Sequence, residues 1–193
     1  MHTVMTTAIA KKLNIQRTIF YDLALVILGS LSIGLSAQFS YRLPFSPVPV
    51  TAQTFAVLLI GVLLGTKKAG ASLVLYLSEG LSGLPVFAGG KSGIATLLGP
   101  TGGYLIGFLV AAMVIGYFAE KGFDKRWHTT IFAFLAGQAV IYLCGWLHLA
   151  VYLGFKQAFN LGVAPFLIWD AIKTGMAMIV LPGAWNLLGK RNG

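Results

Sequence analysis

The stretch TTIFAFLAGQAVIYLCGWLHL, residues 129–149, contains no Asp, Glu, Lys or Arg. Rising 1.5 Å per residue as an α-helix, it is about 31 Å long, the thickness of a bilayer's hydrocarbon core. The rest of the chain is alike. Over 193 residues, 57% are hydrophobic and 10% charged, against roughly 45–50% and about 25% in ordinary soluble domains. Mean hydropathy is +0.82. Too few polar side chains exist to cover a water-facing surface, so the chain reads as an all-α, multi-pass membrane protein.

Working outward from that stretch, the same length criterion gives six spans: about Tyr21 to Phe39, Val50 to Leu64, Ala69 to Leu84, Tyr104 to Ala119, Thr129 to Leu149 and Pro165 to Leu188. The second to fourth are short, which implies tilted or partly embedded ends. The expected fold is a compact six-transmembrane-helix bundle forming a single domain over residues 1–193, preceded by a cytoplasmic tail at 1–18. Lys and Arg set the orientation. One side collects ten of them: Lys11, Lys12, Arg17, Lys67, Lys68, Lys121, Lys125, Arg126, Lys190 and Arg191. The other side has three, Arg42, Lys91 and Lys156, and Lys173 lies within a span. The positive-inside rule then puts both termini in the cytoplasm.

Several functions drop out. The net charge of +9 is dealt out in short groups between apolar segments, not in the continuous stripe that nucleic acid requires. One cysteine, Cys144, and three scattered histidines, His2, His128 and His148, make neither a zinc site nor a disulfide framework. Gly90-Lys91-Ser92 looks like the end of a P-loop, but the glycine needed five residues before Gly90 is Pro85. No metal and no cofactor is expected.

Two features point to a site. The outer connections, residues 41–49 and 83–103, are rich in Pro and Gly yet apolar. Irregular apolar backbone suits segments folded over or into the bundle, where protein satisfies their polar groups. The last span carries Asp170 and Lys173, three apart and so on one helix face. Each charge costs about 2.5–3.5 kcal/mol at mid-membrane, so both face the bundle interior, about 7–12 Å below the outer helix end at Pro165. Such a pair is either an internal salt bridge or a ligand site, and charges inside membranes are by default functional. A carboxylate that only accepts, beside an ammonium that only donates, matches a ligand with N–H groups next to a carbonyl. Phe87, Tyr104, Tyr142, Trp146, Tyr152 and Trp169 are the available wall material. Glu79 is a second ligand contact or a solvated helix end.

The segment Pro47-Val48-Pro49-Val50-Thr51-Ala52-Gln53-Thr54-Phe55-Ala56-Val57 resembles the opening of the second span of BioY proteins. These are the biotin-specific substrate-binding (S) components of energy-coupling-factor (ECF) transporters. Gly83 through Gly90 and Leu98 through Tyr104 resemble that family's central loop, and Pro165-Phe166 with Asp170 and Lys173 its last-helix motif. The resemblance implies high-affinity biotin capture from outside, in the cell membrane of a bacterium. An energy-coupling transmembrane protein and two cytoplasmic ATPase subunits are the implied partners. It further implies that Asp170 accepts from the ureido N–H groups, that Lys173 donates to a ligand oxygen and that Lys91 attracts the tail carboxylate. Gln53, Gly89 and Gly90 would line the entrance or approach the ring, with Phe87 and Tyr104 as walls. The chain departs from the family in having Trp169 before the acid, a bulk placed to reshape the pocket. In the first span, the stripe Ser30-x-x-x-Gly34 beside Ser32-x-x-x-Ser36 offers close approach to a membrane partner.

A reading from another class is a rhomboid-like intramembrane serine protease, from Gly80-Leu81-Ser82-Gly83 with Ser82 as nucleophile and His148 as base. Against it, both residues lie at outer span ends, where a helix-ending turn and an interfacial imidazole account for them.

Overall fold

The computed structural model describes residues 3–16 and 18–189. His2, Arg17, Lys190 and Arg191, used in the sequence argument, lie outside them. Helices α1 (Met5–Lys12), α2 (Ile19–Gln38), α3 (Gln53–Leu81), α4 (Ile94–Leu97), α5 (Gly102–Glu120), α6 (Trp127–Leu153), α7 (Phe155–Gly162) and α8 (Leu167–Gly189) follow in chain order. Two-residue strands β1 (Ser40–Tyr41) and β2 (Val50–Thr51) pair antiparallel between α2 and α3, Ser40 opposite Thr51. Five helical stretches are long and apolar enough to cross a membrane.

α3 covers the expected second and third spans together. At Gly65 the backbone has φ 77° and ψ 176°, outside the helical region. The arms on either side, residues 53–64 and 66–81, fold back on each other: Gln53 Nε2 lies 2.7 Å from Tyr76 Oη. A straight helix would hold those residues about 35 Å apart. Glycine adopts the positive φ without strain, and a Cβ there would meet Glu120 Oε1 at 2.7 Å. That carboxylate accepts from the Thr66 N–H at 2.8 Å, capping the second arm from a neighbouring helix. The expected Lys67–Lys68 connection is therefore not a loop. The turn is Gly65, and both lysines are helical.

α5 is the central packing element, between both arms of α3 and α6. Its neighbours reach it because the contacts lack side chains. A Cβ on Gly61 would lie 2.2 Å from Ile115 Cγ2, one on Gly116 2.6 Å from Thr66 N, and one on Gly107 3.1 Å from Ile141 Cα. Without a hydrophobic force between helices in lipid, such close backbone approach supplies much of the association. Large apolar residues point the other way, among them Phe20, Leu35, Val151 and Ile168, all exposed.

Two expectations change here. Residues 5–12 of the N-terminal tail form α1, with Met5 and Ala10 buried. The Thr6 hydroxyl donates to the Leu63 carbonyl at 2.7 Å, and Lys12 Nζ donates to the Leu187 and Leu188 carbonyls at 3.2 Å each. The small-residue pair Ser30 and Gly34 is buried within the chain itself. Ser30 donates to Glu79 Oε2 at 2.6 Å, and a Cβ on Gly34 would contact Val86 at 3.6 Å. This pair packs α2 on α3 and is unavailable to a partner, since an intramolecular contact already occupies it. Glu79, half-buried near the end of α3, is bonded in that seam and does not line the cavity described below.

Candidate binding site

The outer connections do fold into the bundle: Val48 and Phe87 are buried. They close over a cavity with about 680 Å³ of space free of protein atoms, the solvent at its open mouth included. β2 and the start of α3 bring Thr51, Gln53 and Thr54 to it. The loop after α3 brings Phe87 and Lys91; α5 brings Tyr104, Leu105 and Phe108; α6 brings Ile141 and Tyr142; α8 brings Asp170 and Lys173.

Asp170 and Lys173 form an ion pair, Nζ to Oδ1 2.8 Å, with side chains 4% and 19% exposed. They are not locked solely onto each other, because both line the cavity. Lys173 Nζ also donates to Thr54 Oγ1 at 2.7 Å and to the Thr51 carbonyl at 3.0 Å. Thr54 donates to Asp170 Oδ1 at 3.1 Å, and the Tyr142 hydroxyl donates to Asp170 Oδ2. Behind the pair, Gln138 Nε2 donates to the Asp170 carbonyl at 3.1 Å and to Thr174 Oγ1 at 2.9 Å. This buried cross-link between α6 and α8 fixes the rotation of α8 that turns Asp170 inward. The ammonium, the carboxylate and the hydroxyls beside them are each hydrogen-bonded, as a low-dielectric interior demands.

The walls are equally held. Tyr104 donates to the Gly162 carbonyl at 2.7 Å, so it offers the cavity its ring and not a free hydroxyl proton. Phe87 meets the Tyr76 ring edge-on at a centroid distance of 5.5 Å. Tyr76 in turn donates to the Val86 carbonyl at 3.2 Å and receives from Gln53. At the mouth, Lys91 is exposed and also lines a second, outer recess with Arg42, Ser46 and Pro47.

Six of the eight residues expected at the site therefore line one cavity: Asp170, Lys173, Lys91, Gln53, Phe87 and Tyr104. Gly89 and Gly90 do not. With φ of 69° and 71°, they make the turn between Phe87 and Lys91, whose backbones pair, and so place those two side chains. Trp169 also departs from expectation: at 53% exposure it points out of the bundle and cannot reshape the pocket. Trp146 donates to the Phe155 carbonyl and Tyr152 to the Leu98 carbonyl, away from the cavity. Thr54 and Gln138 escaped the sequence reading, although Thr54 adjoins Gln53 in the motif. Tyr142 entered only as wall material. Hydroxyls and amides in a span resemble ordinary packing residues until their partners are known.

The protease arrangement is absent. Ser82 donates to the Glu79 carbonyl at 2.7 Å, and a His148 ring nitrogen bonds the Gly99 carbonyl at 3.0 Å. Neither is bonded to the other: Ser82 is the residue that ends α3, and His148 lies within α6.

The BioY family profile matches residues 5–190. The chain is 42% identical over 159 residues to the "Probable biotin transporter BioY" of Pyrococcus horikoshii, covering 82% of this chain and 93% of that one. It is 40% identical over 139 residues to the biotin transporter BioY of Thermotoga maritima, covering 72% and 81%. Among solved structures it is similar to the S-component for biotin from an ECF-type ABC transporter, determined by crystallography at 2.1 Å. That match has TM-score 0.78 and 25% identity, and covers 89% of this chain and 95% of that one.

Proposed function

The chain belongs to the BioY family, and from that premise we propose that it takes up biotin as the substrate-specific subunit of an ECF transporter. The observation that carries this reading is the buried Asp170–Lys173 pair facing an apolar, aromatic-walled cavity. Biotin matches it in chemistry. Its ureido ring has two N–H donors and a carbonyl, its thiophane ring is apolar, and its tail ends in a carboxylate. Asp170 accepts from the ureido ring and Lys173 donates to a ligand oxygen, while Phe87 and Tyr104 enclose the rings. Gln53, tied to Tyr76, positions that wall. Lys91, with Arg42 in the same outer recess, attracts the carboxylate from solvent.

In the membrane, α2, the two arms of α3, α5, α6 and α8 make six crossings, with both termini cytoplasmic by the lysine and arginine count. The whole chain acts as one substrate-binding domain in the cell membrane of a bacterium, with α1 against its cytoplasmic end. It is not an enzyme. An energy-coupling membrane protein and two ATPase subunits supply the driving force. The test is equilibrium binding of labelled biotin to the purified chain with other vitamins as competitors. Only biotin should displace the label, and Asp170→Asn and Lys173→Ala should each weaken binding at least tenfold. Wild-type affinity in both variants overturns the site, and no binding by a folded wild-type chain overturns the function.

A further inference from the structure

The polar end of the cavity has a donor–acceptor imbalance. An ammonium has three N–H donors and a hydroxyl has one. All three of Lys173 are given within the chain, to Asp170 Oδ1, Thr54 Oγ1 and the Thr51 carbonyl. The Thr54 proton goes to Asp170 Oδ1 and the Tyr142 proton to Asp170 Oδ2. Donors in this cluster are therefore spent, whereas acceptors are in surplus. A carboxylate takes about four hydrogen bonds, and Asp170 receives three. The Tyr142 oxygen receives none among the described residues, although its side chain lines the cavity beside Phe108 and Phe166.

We infer that Tyr142 is a specificity-determining residue whose phenol oxygen, oriented by its own bond to Asp170, accepts one N–H of the ligand ring. The inference rests on the biotin reading above and deepens it. Two adjacent acceptors, the remaining lone pair of Asp170 and the oxygen of Tyr142, select rings that carry N–H groups. A ring with an N-alkyl, ether or thioether in that place leaves the acceptors unpaired in an apolar enclosure, which rejects it more strongly than shape alone would. A ligand carbonyl beside those N–H groups is met by Lys173 when it exchanges its bond to the Thr51 carbonyl for one to the ligand.

Labelled biotin bound to the purified full chain is displaced with unlabelled biotin and with two analogues, each methylated on one ureido nitrogen. The wild-type chain should bind at least one analogue tenfold or more weakly than biotin. Tyr142→Phe should weaken biotin about five- to tenfold, the worth of one hydrogen bond in a dry site, yet change that analogue less than twofold. Tyr142→Trp is the second variant, because an indole N–H still donates to Asp170 but cannot accept. It should show the same loss of discrimination, and it carries the test if Tyr142→Phe does not fold. The inference is overturned if the wild-type chain tolerates both methyl groups, if the variants bind biotin as the wild type does, or if they weaken biotin and both analogues equally. A folded wild-type chain that does not bind biotin at all overturns the underlying reading instead.

Discussion

Replacing Lys173 by Met probes the ion pair in the cavity wall without opening a large void. At 2.8 Å and an effective dielectric of about 20, the pair's Coulomb attraction is about 6 kcal/mol. Removing the ammonium also removes its desolvation cost, which offsets roughly half of that. What remains is the Asp170 carboxylate, 4% exposed, with only the Thr54 and Tyr142 hydroxyls to receive from. Lys173→Met should therefore lose about 3 kcal/mol of stability, a Tm decrease of about 6–12 °C for a chain of this size. Asp170→Asn should cost less, about 1–2 kcal/mol, because the stranded ammonium is 19% exposed and keeps the Thr51 carbonyl and Thr54. The double variant leaves no uncompensated charge and should be about 2 kcal/mol more stable than Lys173→Met alone. Thermal unfolding in detergent, followed by helical circular dichroism, measures all four proteins. A double variant no more stable than Lys173→Met would refute the reasoning, since the pair would then not be coupled.

Gly61→Val should destabilise the bundle by about 1–3 kcal/mol or prevent folding, because the new side chain would meet Ile115 and the Ala112 carbonyl; the same unfolding assay decides. Trp169→Leu should change biotin affinity less than twofold, since the indole points out of the bundle; a larger change by equilibrium binding would place that ring at the ligand. Lys91→Ala should weaken biotin about threefold and reduce the salt dependence of its association rate, as loss of an exposed cation at the mouth would; stopped-flow mixing at low and high salt checks it.

That the chain is built from apolar helices of membrane length was legible, because length and hydropathy report one physical fact, that backbone crossing lipid must satisfy its own hydrogen bonds. The inward direction of Asp170 and Lys173 was legible for the same reason, as lipid exposure of either charge is costly. The second-span motif extended this to Gln53, and the central-loop motif to Phe87 and Tyr104 with Lys91 just beyond its first stretch; all four line the cavity. The errors have a common source. Trp169 adjoins Asp170 in sequence, but a step of about 100° around the helix turns it outward, to 53% exposure. Gly89 and Gly90 make the turn that places Phe87 and Lys91, and do not themselves line the cavity. Ser30 and Gly34 carry a pattern that permits close helix approach without naming the helix approached, and that helix is α3 of the same chain.

By itself, then, the sequence determined that this is an apolar helical bundle with two opposite charges held inside it, because burial energies act on each residue whatever its distant neighbours. Only the tertiary structure decided that one glycine reverses α3, that Gln138 locks α8 against α6, and that Tyr142 and Thr54 share the carboxylate of Asp170. Those are pairings between residues up to 116 positions apart. A hydrogen bond is specified by direction and by a distance near 3 Å, and neither is encoded in local hydropathy or helical spacing.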